Sequence, residues 1–139
     1  MVCTHHENAN DTQTVLRIFL YADAEEKYRP LKPAVKRLLT DFCDPDLTVV
    51  VLAEEAHMST TYFRKLFGEL FDINPKKAIS CLRLNYAKTL LANNAHPIET
   101  VAGMVGFVNA KYFSKLFKQE YGVSPLNLRR RYRPEYDQS

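Results

Sequence analysis

Apolar residues along this chain recur at spacings of three and four, and apolar–polar alternation is almost absent. That period belongs to amphipathic helices, so the chain is expected to be all-α. The first ten or so residues are expected to be disordered. A helix is predicted over Thr14 to Tyr28, with Val15, Leu16, Phe19 and Leu20 as its stripe. Pro30 and Pro33 interrupt it and suit the start of a second helix, Pro33 to Phe42, whose apolar face is Val35, Leu38, Leu39 and Phe42. Asp44-Pro45-Asp46 reads as a turn.

From there the pattern is stated twice. TYFRKLF at residues 61–67 returns as KYFSKLF at residues 111–117. Before each stands a short helix: Leu47 to Ala56, built on Val50, Val51 and Ala53, and Ile98 to Met104, with Val51 and Val101 at the same offset as the heptapeptides. Ser59 and Asn109 are the predicted N-caps of the second helices. Phe63, Leu66, Phe67 and Leu70 form one inward stripe, and Phe113, Leu116, Phe117 and Tyr121 the other. Asn74-Pro75 and Ser124-Pro125 mark matching cap and first-turn pairs, the former opening a long helix to about Asn93.

A short helix, a turn and a longer second helix outline a helix-turn-helix. With the stripes turned inward, the first copy exposes Thr60, Thr61, Arg64, Lys65 and Gly68, and the second Ala110, Lys111, Ser114, Lys115 and Lys118. Neither face carries a carboxylate before Glu69 and Glu120 at the helix ends. Hydroxyls and cations near helix N-termini suit phosphates and major-groove base edges. The long middle helix would measure roughly 28 Å at about 1.5 Å per residue, close to the turn of about 34 Å in B-DNA. Two reading helices on such a strut would reach successive major grooves of one duplex.

Charge supports the same partner. The net charge of +3 over 139 residues conceals six Lys/Arg against eight Asp/Glu up to Asp46, and thirteen against eight from Leu47 onward. The repeat lies wholly in the basic part, an excess that favours a polyanionic partner if it is concentrated on one face. Cys3, Cys43 and Cys81 show neither disulfide-scaffold nor zinc spacing and read as reduced thiols. The N-terminus MVCTHHENAND has no apolar core for a signal peptide, and no run is long enough to span a membrane, so a cytoplasmic, nucleoid-associated protein is expected. Asn10-Asp11-Thr12 is a chance sequon in that setting, and Cys3, His5 and His6 an incidental grouping at a chain end.

The stretch LAEEAHMSTTYFRKLFGELFDINP, followed by IETVAGMVGFVNAKYFSKLFKQEYGVSPLNLRRRY, resembles the DNA-binding domain of AraC/XylS-type bacterial transcription regulators. The family pattern GF-x-[SN]-x-x-YF-x-[KR]-x-F-K-x-x-x-G-x-[ST]-P is met from Gly106 to Pro125, and the resemblance covers about residues 31 to 132. It implies two helix-turn-helix subdomains joined by a long linker helix, about seven helices in all, preceded here by a short N-terminal helical segment. The domain boundaries expected are 1–30 for a disordered end and linker-like segment and 31–135 for the DNA-binding domain. Within that domain the first helix-turn-helix spans about 47–72, the linker helix 75–93 and the second helix-turn-helix 98–122. Carried over by position, Thr61, Arg64 and Lys65 contact DNA from the first reading helix, and Ala110, Lys111, Ser114 and Lys115 from the second. Ser59 and Asn109 lie near phosphates. Ala110 offers only a methyl group, Ala56-His57 departs from the family's turn residues, and Leu128 replaces an expected aromatic as a core substitution. The resemblance further implies promoter or operator DNA as partner, RNA polymerase as a candidate second partner, and an effector domain missing from this chain, which then reads as a fragment of a longer regulator.

Other classes fit less well. No nucleophile with a base, paired carboxylates or metal set stands at usable spacing, so no enzyme, cofactor or metal is expected. A helical protein–protein adaptor built by duplication is the alternative; it would expose apolar anchors on the repeated face, where this chain has Thr, Ser, Arg and Lys. An RNA module would want exposed aromatics, for which Tyr62 and Tyr112 are the candidates. Arg129, Arg130, Arg131 and Arg133 either clamp phosphate or favour a helix C-terminus, and His57 and His96 are taken as structural. The segments at Asp72-Ile73 and Asn94–His96 are the expected hinges.

Overall fold

Ser59, Asn74, Asn109 and Ser124 each accept a hydrogen bond from the main-chain N–H three residues on. Those four caps fix where the principal helices begin. The structure, a computed structural model, describes residues 26–133. A short 3-10 helix, Glu26–Leu31, leads into seven α-helices among the described residues. They are α1 (Lys32–Asp41), α2 (Val49–Glu55), α3 (Thr60–Phe71), α4 (Pro75–Asn93), α5 (Ile98–Met104), α6 (Ala110–Tyr121) and α7 (Pro125–Tyr132). None of them is long and apolar enough to cross a membrane.

Most of the predicted helix over Thr14 to Tyr28 lies outside the described residues, as do the first ten residues, Cys3, His5 and His6. Residues 26–28 fall in the 3-10 helix instead of an α-helix. Pro30 has no N–H to give, and its ring excludes the α-helical carbonyl four residues back. Lys27 and Tyr28 fasten this turn to α3 through the Glu69 carboxylate, at 3.0 and 3.2 Å.

Two apolar clusters share α4. Ala34, Val35 and Leu38 of α1, Leu52 and Ala53 of α2, and Phe63, Leu66, Phe67 and Phe71 of α3 close over Ala78, Ile79 and Leu82. Further along α4, Leu84, Ala87 and Leu91 meet Val101, Ala102, Phe107, Phe113, Phe117, Tyr121 and Leu128. The linker helix is thus buried on two faces by two different partners, although it is a single unbroken helix of 19 residues. Leu128 is core, as expected. In α3 the rings of Phe63, Phe67 and Phe71 follow one another at 5.6 and 4.6 Å, and in α6 those of Phe113, Phe117 and Tyr121 at 5.7 and 4.8 Å. The anchor closing the first ladder is Phe71, while Leu70, assigned inward from the sequence, is half-buried. Leu116 is likewise half-buried.

The repeat changes register in its turn. Four residues, 56–59, separate α2 from α3, whereas five, 105–109, separate α5 from α6. The first helices therefore correspond at an offset one residue shorter than the second helices do. Leu52 and Ala53 match Val101 and Ala102, and the Val51–Val101 alignment is out by one. This also corrects the face of α2: Val50 is 54% exposed and Val51 half-buried, while Val49, Leu52 and Ala53 point inward.

Both turns close with the same pair of hydrogen bonds. Met58 N–H reaches Ala53 O at 3.0 Å and His57 N–H reaches Glu54 O at 3.0 Å; Phe107 and Gly106 repeat the pair onto Ala102 and Gly103 at 2.9 and 3.1 Å. The pattern requires a left-handed residue just past the helix end. Gly106 supplies it in the second copy at φ 106°, and His57 in the first at φ 56°. The additional residue of the second turn is Val108, which is 90% exposed.

Candidate nucleic-acid interface

The outer faces of α3 and α6 follow from the ring ladders beneath them. With Phe63 and Phe67 fully buried, a helical period leaves Thr61, Arg64 and Lys65 exposed. The same geometry leaves Lys111, Lys115 and Lys118 exposed on α6. Thr60 and Ser114 are half-exposed, and Ala110 packs against the second cluster, so its methyl group is only partly available. Ser59 and Asn109, both exposed, are committed as caps to Tyr62 N–H at 3.2 Å and Tyr112 N–H at 3.0 Å. Among the described residues none of Arg64, Lys65, Lys111, Lys115 and Lys118 forms an ion pair with a carboxylate.

The carboxylates near the helix ends are occupied elsewhere. The Lys27 ammonium, by hydrogen bond and charge, holds Glu69 below its ordinary range. Glu120 accepts a contact from the Cys81 thiol at 3.8 Å. Burial pushes the Cys43 thiol up.

Several neighbouring groups were missed. Thr48 caps α2, its hydroxyl accepting from Val51 N–H at 3.3 Å; a Thr immediately before VVVL was the available signal. Pro97 stands in the corresponding place before α5 and makes no side-chain cap. Val108 adds an apolar tip beside the Asn109 cap, in a concavity with Phe107, Ala110 and Lys111. Tyr62 and Tyr112, by contrast, are the candidate exposed aromatics of the sequence; they are about half exposed, at 48% and 47%, and flank the two faces.

The arginine run divides. Arg129 is 3% exposed and donates to the main-chain oxygens of Leu91 and His96, so it is no phosphate clamp. Arg130 and Arg131 remain on the surface. The segment Asn94–His96, expected as a hinge, is held by those bonds and by the Asn94 side chain accepting from His96 N–H at 3.0 Å.

Two helix-turn-helix units on one strut, each presenting an unpaired cationic face, define a class. A family model described as a helix-turn-helix domain matches residues 52–131, and the chain belongs to that family, the AraC-type helix-turn-helix domain. Among its relatives, the virulence regulon transcriptional activator VirF of Yersinia enterocolitica is 35% identical over 77 residues, which are 55% of this chain and 28% of VirF. The chain thus spans well under half the length of this relative. Among solved structures, the C-terminal domain of AraT, a response regulator from Geobacillus stearothermophilus, superposes with a TM-score of 0.71 at 28% identity, covering 76% of this chain and 88% of that one. The DNA-binding domain of the global transcriptional factor AdpA, solved with a target DNA, gives a TM-score of 0.71 at 28% identity and covers 79% and 98%.

Proposed function

We propose that the chain binds double-stranded DNA sequence-specifically as a bipartite reader, with α3 and α6 entering successive major grooves, and serves transcription regulation. The observation that carries this reading is the paired pattern of capped helices whose outer faces hold unneutralised Arg and Lys over buried aromatic ladders. Likeness to the DNA-bound AdpA domain supports it.

Roles divide by chemistry. Arg64, in mid-helix, is assigned to base readout, where a bidentate guanidinium on guanine contributes about 1–3 kcal/mol. Lys65, Lys111, Lys115 and Lys118 supply the salt-sensitive phosphate attraction. Thr60, Thr61 and Ser114 offer hydroxyls to either, and Ala110 a methyl contact. Ser59 and Asn109 present the helix N-termini to phosphates. RNA polymerase as second partner and a separate sensing domain belong to the same reading, as does a DNA-binding unit starting near Leu31.

Selection of bound duplexes from a randomised pool tests it. Two enriched blocks about one helical turn apart are expected. No enrichment would return the protein to the adaptor class.

A further inference from the structure

We propose that Arg83 is a positioning residue that locks the two reading units in one mutual orientation and so fixes the spacing between the DNA half-sites the chain accepts. The inference rests on the bipartite reading above.

Arg83 sits midway along α4, between the segments that serve the two clusters, and is only 9% exposed. Its Nε donates to Phe42 O at 2.6 Å and its Nη2 to Asp44 O at 2.8 Å. Phe42 is the C-cap of α1, so the guanidinium satisfies a carbonyl at a helix end, where intrahelical donors run out, while Asp44 O, in the following turn, also accepts from Leu47 N–H at 3.1 Å. On its other side the cation lies 5.6 Å from the centroid of the Phe107 ring, in the second turn. Gly106 completes the contact. A Cβ at this position would stand 2.8 Å from Arg83 Nε and 2.9 Å from Cys43 O.

Elements of both units therefore converge on one side chain. Phe42 belongs to the first cluster, Phe107 to the second, and Cys43 packs against the second although it follows α1. The Phe42 ring also meets Tyr86 of α4 edge-on, with centroids 6.1 Å apart. The linker helix by itself sets how far apart the units are. Their rotation about its axis needs a lateral lock, and this contact supplies one.

The choice of residue argues for orientation over stability. Burial lowers the pKa of Arg83, opposed by the nearby Cys43 and Asp44. Burying a cation carries a desolvation cost that an apolar side chain of similar volume does not, so its hydrogen bonds partly offset that cost before they add stability. What it adds is a rigid fork that two carbonyls satisfy in one geometry only.

The test uses the full chain and DNA carrying the two blocks selected by the wild type, at native spacing and with one or two base pairs inserted or removed. Each inserted pair moves a half-site by about 3.4 Å along the duplex and turns it by about 34°. The wild type is expected to lose about tenfold or more per inserted pair, the scale of a mismatched contact. Arg83→Gln is expected to lose about threefold or less per inserted pair, while binding the native site more weakly because preorganisation is gone. A folded Arg83→Gln protein with the wild-type spacing penalty overturns the inference. Should that variant not fold, Phe107→Leu removes the ring under the guanidinium while retaining apolar volume. It is expected to relax spacing in the same direction, and an unchanged penalty there also overturns the proposal. A wild type that selects no bipartite site would instead bring down the DNA reading itself, and this inference with it.

Discussion

The Arg129 guanidinium of α7 donates to the main-chain oxygen of His96, in the segment that joins α4 to α5. It also reaches Leu91 O at 3.3 Å and Asn94 Oδ1 at 3.4 Å. The last helix thereby satisfies the carbonyl end of the linker helix, where intrahelical donors run out.

Arg129→Met should accordingly destabilise the protein by about 2–4 kcal/mol, since one buried acceptor, Leu91 O, and the part-buried acceptors on His96 and Asn94 lose a charged donor at once. Arg130→Ala, one position along on the exposed surface, should change stability by less than about 0.5 kcal/mol. Urea unfolding of the two variants side by side decides it. Equal effects would mean that Arg129 does not hold the joint.

Arg64→Ala should relax base preference in one half-site and leave binding to unrelated DNA nearly unchanged. Lys118→Ala should weaken all sequences alike and lower the slope of log affinity against log salt by about one unit. Affinities on selected and scrambled duplexes across a salt series separate the two. A uniform loss from Arg64→Ala would reassign it to phosphate.

The two turns should respond oppositely to changes at their left-handed residue. His57 pays a steric cost at φ 56° that glycine does not, so His57→Gly should stabilise by about 0.5–1 kcal/mol. Gly106→Ala meets both a positive φ and the crowding against Arg83 and Cys43 O, and should cost about 2–3 kcal/mol. Thermal melting of both variants checks the signs; a neutral Gly106→Ala would show that Arg83 can move aside.

The Lys27–Glu69 pair should leave a signature in acid. Glu69 titrates below its ordinary value of 4.5, chiefly through the hydrogen bond from Lys27. Its contribution is therefore fully present above about pH 4.5 and is lost as the pH falls through the lowered folded-state value. Lys27, raised above 10.5 by the same bond, behaves conversely at the alkaline end. Glu69→Gln should lower the urea midpoint slightly at pH 7 and not at all near pH 2, with the difference shrinking in high salt. A difference that persists unchanged near pH 2 would exclude the pair as its source.

Much of the architecture was legible in the order of residues because its signals are local. Ser59, Asn74, Asn109 and Ser124 announce helix starts within three residues of themselves. The Phe63/Phe67 and Phe113/Phe117 pairs announce inward faces at a spacing of four. The slip came where the signal was not local. Val50 and Val51 are as apolar as Leu52, and only the tertiary count of turn residues shows that the second copy carries Val108 in addition.

By itself, then, the sequence determined that this protein is a duplicated helix-turn-helix on a long strut, and which face of each second helix carries cations. Periodicity and capping act over a few residues and survive in a linear reading. Tertiary structure alone decided what the arginines do. Arg83 and Arg129 look like any basic residue in the chain, yet both are buried because carbonyls 41, 39, 38 and 33 positions away converge on them. A hydrogen bond depends on where an acceptor lies in space, and no period in the sequence records that.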